Sequence, residues 1–237
     1  MKQSISLLSI VFACVIAQTT FAQEMHDPVL MNEAPFHVPL FSNEHVILMK
    51  ITIPPGRDTG YHTHYADSVS VNLAPAIRTD QVYGSPDISD PSAGNPVPGG
   101  ASFTSITTQG QRTHKASNVG PTAFRTVSFI LRNDEPAGTE ASDRDGIAGF
   151  TEIMDNDRVR AWRVILEPGQ ETGQISQSAP GLRVYVRGGV LDEIVPGAPD
   201  RGMAPADGDF MWQDAGQTRA VKNTGATVIE FVEFELK

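Results

Sequence analysis

Three histidines supply the strongest chemical signal in the chain. His62 and His64 are separated by one residue in Pro55-Gly-Arg-Asp-Thr-Gly-Tyr-His-Thr-His64, and His114 follows in Gly110-Gln-Arg-Thr-His114-Lys-Ala-Ser-Asn118. On a strand, positions i and i+2 project from one face, so His62 and His64 can reach a single ion together. The chain has 6 histidines, and half of them sit in this constellation. An isolated His-x-His is common by chance. Combined with the preceding Pro-Gly turn, the third imidazole and Asn118, it reads as a site rather than a polar rim. Three neutral imidazoles suit one divalent transition metal (Fe, Mn, Ni, Cu or Zn) and leave positions open for water, dioxygen or a chelating substrate.

The elements that must position these residues are short strands. Val46–Ile53, Ser68–Leu73, Ala123–Leu131, Arg160–Leu166, Leu182–Val186 and Thr227–Leu236 are rich in β-branched and aromatic residues. Turn clusters bound them at Pro54-Pro-Gly56, Gly188-Gly189, Pro196-Gly197 and Asn223-Thr-Gly225. No stretch keeps a helical period for three turns with caps, so the chain reads as all-β.

An internal repeat fixes the domain count. At an offset of 113, Pro55-Gly-Arg-Asp-Thr-Gly60 falls on Pro168-Gly-Gln-Glu-Thr-Gly173. At an offset of 105, Asn118-Val-Gly-Pro-Thr122 falls on Asn223-Thr-Gly-Ala-Thr227, and Val127, Phe129 and Leu131 fall on Val232, Phe234 and Leu236. The first copy therefore carries 8 extra residues, expected within the Pro- and Gly-rich stretch 84–100. The units are expected at 30–132 and 150–237, with the boundary in the polar segment Asn133 to Gly149.

The histidine motifs resemble the cupin pattern, in which G-x5-H-x-H and G-x2-3-H-x3-N lie on separate strands of a small barrel and hold a metal. The resemblance implies an all-β fold of two tandem cupin barrels (double-stranded β-helix, or jelly-roll) with His62, His64 and His114 as ligands in the first. Ser68 stands where cupins carry a glutamate. Regular alternation places Ser68, Ser70 and Asn72 inward and Asp67, Val69 and Val71 outward. Asp67 would need a bulge to reach a metal. Within the family, a three-histidine set lacking the acid resembles thiol, gentisate and β-diketone dioxygenases, whereas isomerases, decarboxylases and germin-type oxidases usually keep it. The expectation is a mononuclear non-haem dioxygenase acting on a small polar molecule. Tyr61 and Arg112, beside the motif residues, are catalytic candidates, and Ser68, Ser70 and Asn72 are pocket candidates. Two alternatives are a non-catalytic binding protein for a small carboxylate or sugar acid and a metal-dependent isomerase or lyase. The resemblance also implies a possible homodimer through exposed strands.

The second copy has lost the ligands. Ile175, Gln177 and Arg219 stand where His62, His64 and His114 do, and Gly181 replaces Ser68, so no metal is expected there. Gln177, Arg183, Tyr185 and Arg219 offer an anion pocket or, preferably, a structural barrel whose arginines snorkel to the mouth. His26 and His37 could approach the site, but the surface is the default expectation for them and for His45, and Trp162 and Trp212 are expected in core or inter-barrel packing.

Composition narrows the remaining classes. A formal net charge of -10 without a basic patch argues against nucleic acid and anionic membranes as partners. Residues 1–22 read as a secretory signal: Lys2, an apolar segment from Ile5 to Ala17, and cleavage after Thr20-Phe21-Ala22. The expected location is periplasmic or secreted, with no membrane anchor, because the apolar run is too short to span. Cys14, the one cysteine, would leave with the leader, which excludes disulfides and thiolate ligands.

Overall fold

The computed structural model describes residues 27–74, 76–91, 97–133 and 139–237. The expected leader over 1–22, Cys14 and His26 lie outside the described residues. In the first half the strands are β1 (Val29–Leu30), β2 (His37–Ser42), β3 (Val46–Ile53), β4 (His62–His64), β5 (Ser68–Ala74), β6 (Arg78–Val82), β7 (Ala101–Thr104), β8 (Arg112–Asn118) and β9 (Phe124–Leu131). The second half contributes β10 (Phe150–Asp155), β11 (Val159–Leu166), β12 (Ile175–Ser176), β13 (Gly181–Arg187) and β14 (Leu191–Ile194). It ends with β15 (Arg201–Met203), β16 (Phe210–Gln213), β17 (Thr218–Asn223) and β18 (Ile229–Leu236). A four-residue helix, α1 (Ile106–Gln109), and a 3-10 turn (Met31–Glu33) are the helical pieces among the described residues.

Each half is a barrel of two sheets. The first combines β1-β4-β8-β6 with β2-β3-β9-β5-β7, and the second combines β12-β17-β14-β15 with β10-β11-β18-β13-β16. Alternation along the strands gives the two faces different duties. Val69, Val71, Val127 and Phe129 point away from the first lumen and join Leu182, Val184, Val232 and Phe234 in one apolar core shared by both barrels. The rings of Phe129 and Phe234 meet edge to face at 5.1 Å. Trp212 stacks on His45 and Phe41 of the first half, and Trp162 is buried in the second, as their size leads one to expect.

The repeat is visible in hydrogen bonds as well as in letters. Asn118 Nδ2 donates to Ile53 O and Thr122 O at 2.8 Å each, and Asn223 Nδ2 donates to Leu166 O and Thr227 O at the same distances. Gly56 N donates to Asn118 O and Gly169 N to Asn223 O, both at 2.9 Å. Both glycines sit at positive φ, 70° and 80°, the tight turn that glycine alone adopts without strain.

Strand register relocates half of the eight extra residues. Asp80 and Glu193 pair with Ala116 and Val221, an offset of 113 between the copies. Ser102 and Met211 pair with Ser70 and Arg183, an offset of 109, and His114 and Arg219 pair with His62 and Ile175, an offset of 105. Four residues therefore enter between β6 and β7, inside the expected stretch. The other four enter between β7 and β8, where α1 sits. The expected boundary segment contributes to the second barrel: Ser142 and Arg144 are buried against Glu233 and Glu235 of β18.

Candidate metal centre

Strand pairing builds the site. β4 lies antiparallel to β8 with His62 opposite His114 and His64 opposite Arg112. The three imidazole rings stand 4.6, 5.0 and 5.3 Å apart between centroids. One ligand nitrogen from each lies within 4.8 Å of the others, and Nε2 of His64 is 3.0 Å from Nε2 of His114.

The tautomers are set from behind. His114 Nδ1 donates to Asp80 Oδ1 at 3.0 Å, and His62 Nδ1 donates to Gly60 O at 3.3 Å. A ring that donates through Nδ1 and stays neutral carries its lone pair on Nε2. Neutrality follows from burial. Desolvation lowers the pKa of His62 to about 2 and of His64 to about 3, with the neighbouring imidazoles adding to the shift. His114 is lowered for the same reason, despite its bond to Asp80. Burial pushes the Asp80 carboxyl up, but the His114 bond and the Arg78 guanidinium outweigh it and hold Asp80 ionised.

Three converging neutral imidazoles fit a transition-metal ion, whose bonds to nitrogen are roughly 2.0–2.1 Å long. His62, His64 and His114 could hold one such divalent ion. No acid joins them. Asp67 is turned into the inter-barrel contact, where Arg158 Nη1 reaches its Oδ2 at 2.6 Å and Ile106 N donates to its Oδ1 at 2.8 Å. Open coordination positions would face the lumen.

That lumen is a cavity of about 350 Å³ beside the three rings. Its apolar wall is Met31, Ile51, Ile53 and Phe124, and its polar wall is built from Ser70, Asn72, Ser102, Thr104 and Ser128. Arg78 and Arg112 also line it, whereas no aspartate or glutamate among the described residues does. Of the sequence candidates, Arg112, Ser70 and Asn72 reach the cavity, with Arg112 exposed at the mouth. Ser68 is buried but does not line it. Tyr61 is also absent from the lining. One residue from His62 on an extended chain means the opposite face, where its ring packs edge-on against Tyr83 at 5.1 Å and beneath Lys115.

His37 takes the alternative open to it, beside the site, and not the default place at the surface. It is buried, lines the cavity and stands 5.0 Å from His62 between ring centroids. Sequence reasoning also passed over Asp80, Arg78 and Ser128. Asp80 had a signal available, because the repeat places it on Glu193, an acid in both copies.

The second barrel keeps the frame and fills the lumen. Ile175 sits opposite Arg219, the register of His62 and His114. Its arginines do not snorkel to the mouth: Arg183 is 0% exposed and Arg219 1%, and carboxylates neutralise them inside. Arg183 Nη2 is 2.7 Å from Glu233 Oε1, Arg219 Nη2 is 3.1 Å from Glu233 Oε2, and Arg144 bridges Glu233 and Glu235. Burial would raise the Glu233 carboxyl, yet the three guanidiniums hold it well below the carboxylate range. The network occupies the register that the first barrel leaves open, and a cavity of about 610 Å³ remains beside Glu193 and Arg219.

Two five-stranded and two four-stranded sheets folded as paired barrels define the cupin fold. The sequence matches no protein-family model and no curated protein. Among solved structures, the chain resembles AerE from Microcystis aeruginosa, at 11% identity and a TM-score of 0.57 over 86% of this chain and 98% of that one. A cupin 2 conserved barrel domain protein from Leptotrichia buccalis matches at 7% identity and a TM-score of 0.50, covering 85% and 88%. Salicylate 1,2-dioxygenase from Pseudaminobacter salicylatoxidans matches at 10% identity and a TM-score of 0.53, covering 84% and 76%. At such identities the likeness concerns the fold.

Proposed function

We propose that the protein is an exported metalloenzyme with one divalent transition metal on His62, His64 and His114, acting as a mononuclear non-haem dioxygenase on a small polar molecule. The first barrel, 30–132, carries the centre, and the second, 150–237, is structural. The observation that carries the reading is the convergence of three neutral imidazoles, two of them tied back through Nδ1, on a cavity with no carboxylate among the described residues of its lining. When bound, the ion supplies Lewis acidity and one-electron chemistry with dioxygen. The chain's own residues hold and orient. Asp80 fixes the His114 ring, the serine and threonine hydroxyls offer hydrogen bonds to a substrate, and Ile51, Ile53 and Phe124 keep one wall dry. The salicylate 1,2-dioxygenase of the same fold supports the choice of reaction. Export rests on the charged, apolar and small-residue succession of residues 1–22.

The test is metal content by mass spectrometry on protein purified without added metal, beside His62→Ala, followed by oxygen uptake of the Fe(II)-loaded protein against a panel of small acids and phenols. One equivalent of metal, lost in the variant, together with substrate-dependent oxygen uptake is the expected result. Failure to take up any of the five metals would sink the reading. A second reading, a binding protein for a small carboxylate or sugar acid, is favoured by the two guanidiniums in the lining, Arg78 and Arg112. It predicts a ligand-dependent rise in melting temperature with no oxygen consumed.

A further inference from the structure

The charge lining the first cavity is one-sided. The protein as a whole carries -10, yet among the described residues the charged side chains facing this space are Arg78 and Arg112, with no acid beside them in the lining. Arg112 is exposed at the mouth, directly across the strand pair from His64. Arg78 is only loosely engaged. Its Nη2 is 3.8 Å from Asp80, its guanidinium lies over Phe124 at 5.1 Å, and its buried Nε has no hydrogen-bond partner. Guanidinium groups with unused donors in a small space, half shielded from water, are receptors for carboxylates.

His37 adds an acceptor of fixed direction. Its Nδ1 donates to Pro35 O at 3.0 Å, and a carbonyl can only accept, so the neutral ring carries a lone pair on Nε2. Nε2 has no partner among the described residues, and the ring lines the cavity beside His62. The backbone that aims it is strained. Phe36, one residue earlier, has φ 66°, the only non-glycine with positive φ among the described residues.

Resting on the reading of this cavity as the ligand site, we infer that it takes a small 2-hydroxycarboxylate. Arg112 and Arg78 receive the carboxylate, and Nε2 of His37 accepts the hydrogen of the neighbouring hydroxyl. A volume of about 350 Å³ is at the small end for ligand sites, and the apolar wall formed by Ile51, Ile53 and Phe124 leaves room for one hydrophobic substituent.

The test is calorimetric titration of the full chain loaded with Co(II), using four probes of one shape: mandelate, benzoylformate, phenylacetate and mandelamide. Mandelate is expected to bind about tenfold more tightly than the other three, the usual effect of a charged or oriented hydrogen bond. Arg112→Gln, at an exposed position, should weaken mandelate about tenfold and leave mandelamide unchanged. His37→Phe, checked for folding by circular dichroism, should erase the preference for mandelate over benzoylformate. Equal affinity for mandelate and mandelamide, or an Arg112→Gln variant that binds mandelate as the parent does, overturns the inference. So does benzoylformate binding as tightly as mandelate to the parent, which needs no variant to fold. Cobalt stoichiometry is read on the same samples. One equivalent bound with no charge selectivity overturns this inference and leaves the metal centre standing. Charge-selective binding without cobalt uptake supports it and removes the metal centre.

Discussion

Ser70 and Ser128 touch through hydroxyl oxygens 2.7 Å apart, at the cross-strand position where the second barrel pairs Arg183 with Glu233. One register position thus decides whether a barrel is hollow or full. Two short hydroxymethyl groups leave the lumen open, whereas a long cation and a carboxylate close it with an ion pair.

Filling that position should separate ligand binding from metal binding. Ser128→Leu places an apolar side chain in existing space, so its effect on stability should stay within about 1–3 kcal/mol. Turnover should fall by an order of magnitude or more while cobalt stoichiometry stays at one equivalent. Denaturant melts, steady-state rates and metal content on one preparation check this, and unchanged turnover would contradict the assignment of the lumen.

Asp80 acts on the metal only through His114. Asp80→Asn keeps the shape and removes the charge that orients the imidazole, so metal affinity should drop about 10–100-fold. Competition against a chelator measures it. The far-ultraviolet circular dichroism should not move, because Asp80 is partly exposed and bonds to no strand through its side chain other than by His114 and Arg78.

Glu233 pairs with Arg144, Arg183 and Arg219 at once, with Glu235 and Glu193 sharing the charge. Glu233→Ala leaves buried guanidiniums uncompensated and should cost about 3–5 kcal/mol in a urea melt. A loss below about 1 kcal/mol would mean that water already satisfies the network.

Acid should destabilise the metal-free protein from the histidines outward. The folded state holds His62 near 2 and His64 near 3, and lowers His37 and His114 as well, whereas the unfolded chain titrates each near 6.5. Below 6.5 the unfolded state binds protons that the folded state refuses, so stability falls as pH falls and recovers as it rises. Each such histidine contributes up to about 1.4 kcal/mol per pH unit across that window. His62→Ala should flatten the dependence of melting temperature on pH between 6.5 and 4. A slope identical to the parent's would count against burial as the cause.

The alternation of Ser70 and Asn72 with Val69 and Val71 was legible in the sequence, because parity on a strand needs no long-range information. The histidine triad was legible because two strands with fixed spacings supply all three rings. Tyr61 misleads for the same reason: adjacency to a ligand on an extended chain means facing away from it. His37 was legible only as one of two histidines able to approach the site, since its place depends on the backbone turn at Phe36 and not on any pattern. Arg144 could not be read either, as it reaches the second lumen from a segment without strand signals. Glu233 and Glu235 are open to the parity argument that found Ser70, but the stronger signal in this strand is the apolar face of Val232, Phe234 and Leu236 that alternates with them.

The two faces of those strands carry unequal constraints. Leu182, Val184, Val232 and Phe234 of the second barrel cover the first, whereas the opposite side carries Ile175 and Arg219 in the register of His62 and His114. A change on the apolar side would be felt in both barrels, and a change on the lumen side in its own. The second barrel can dispense with chemistry, but not with company.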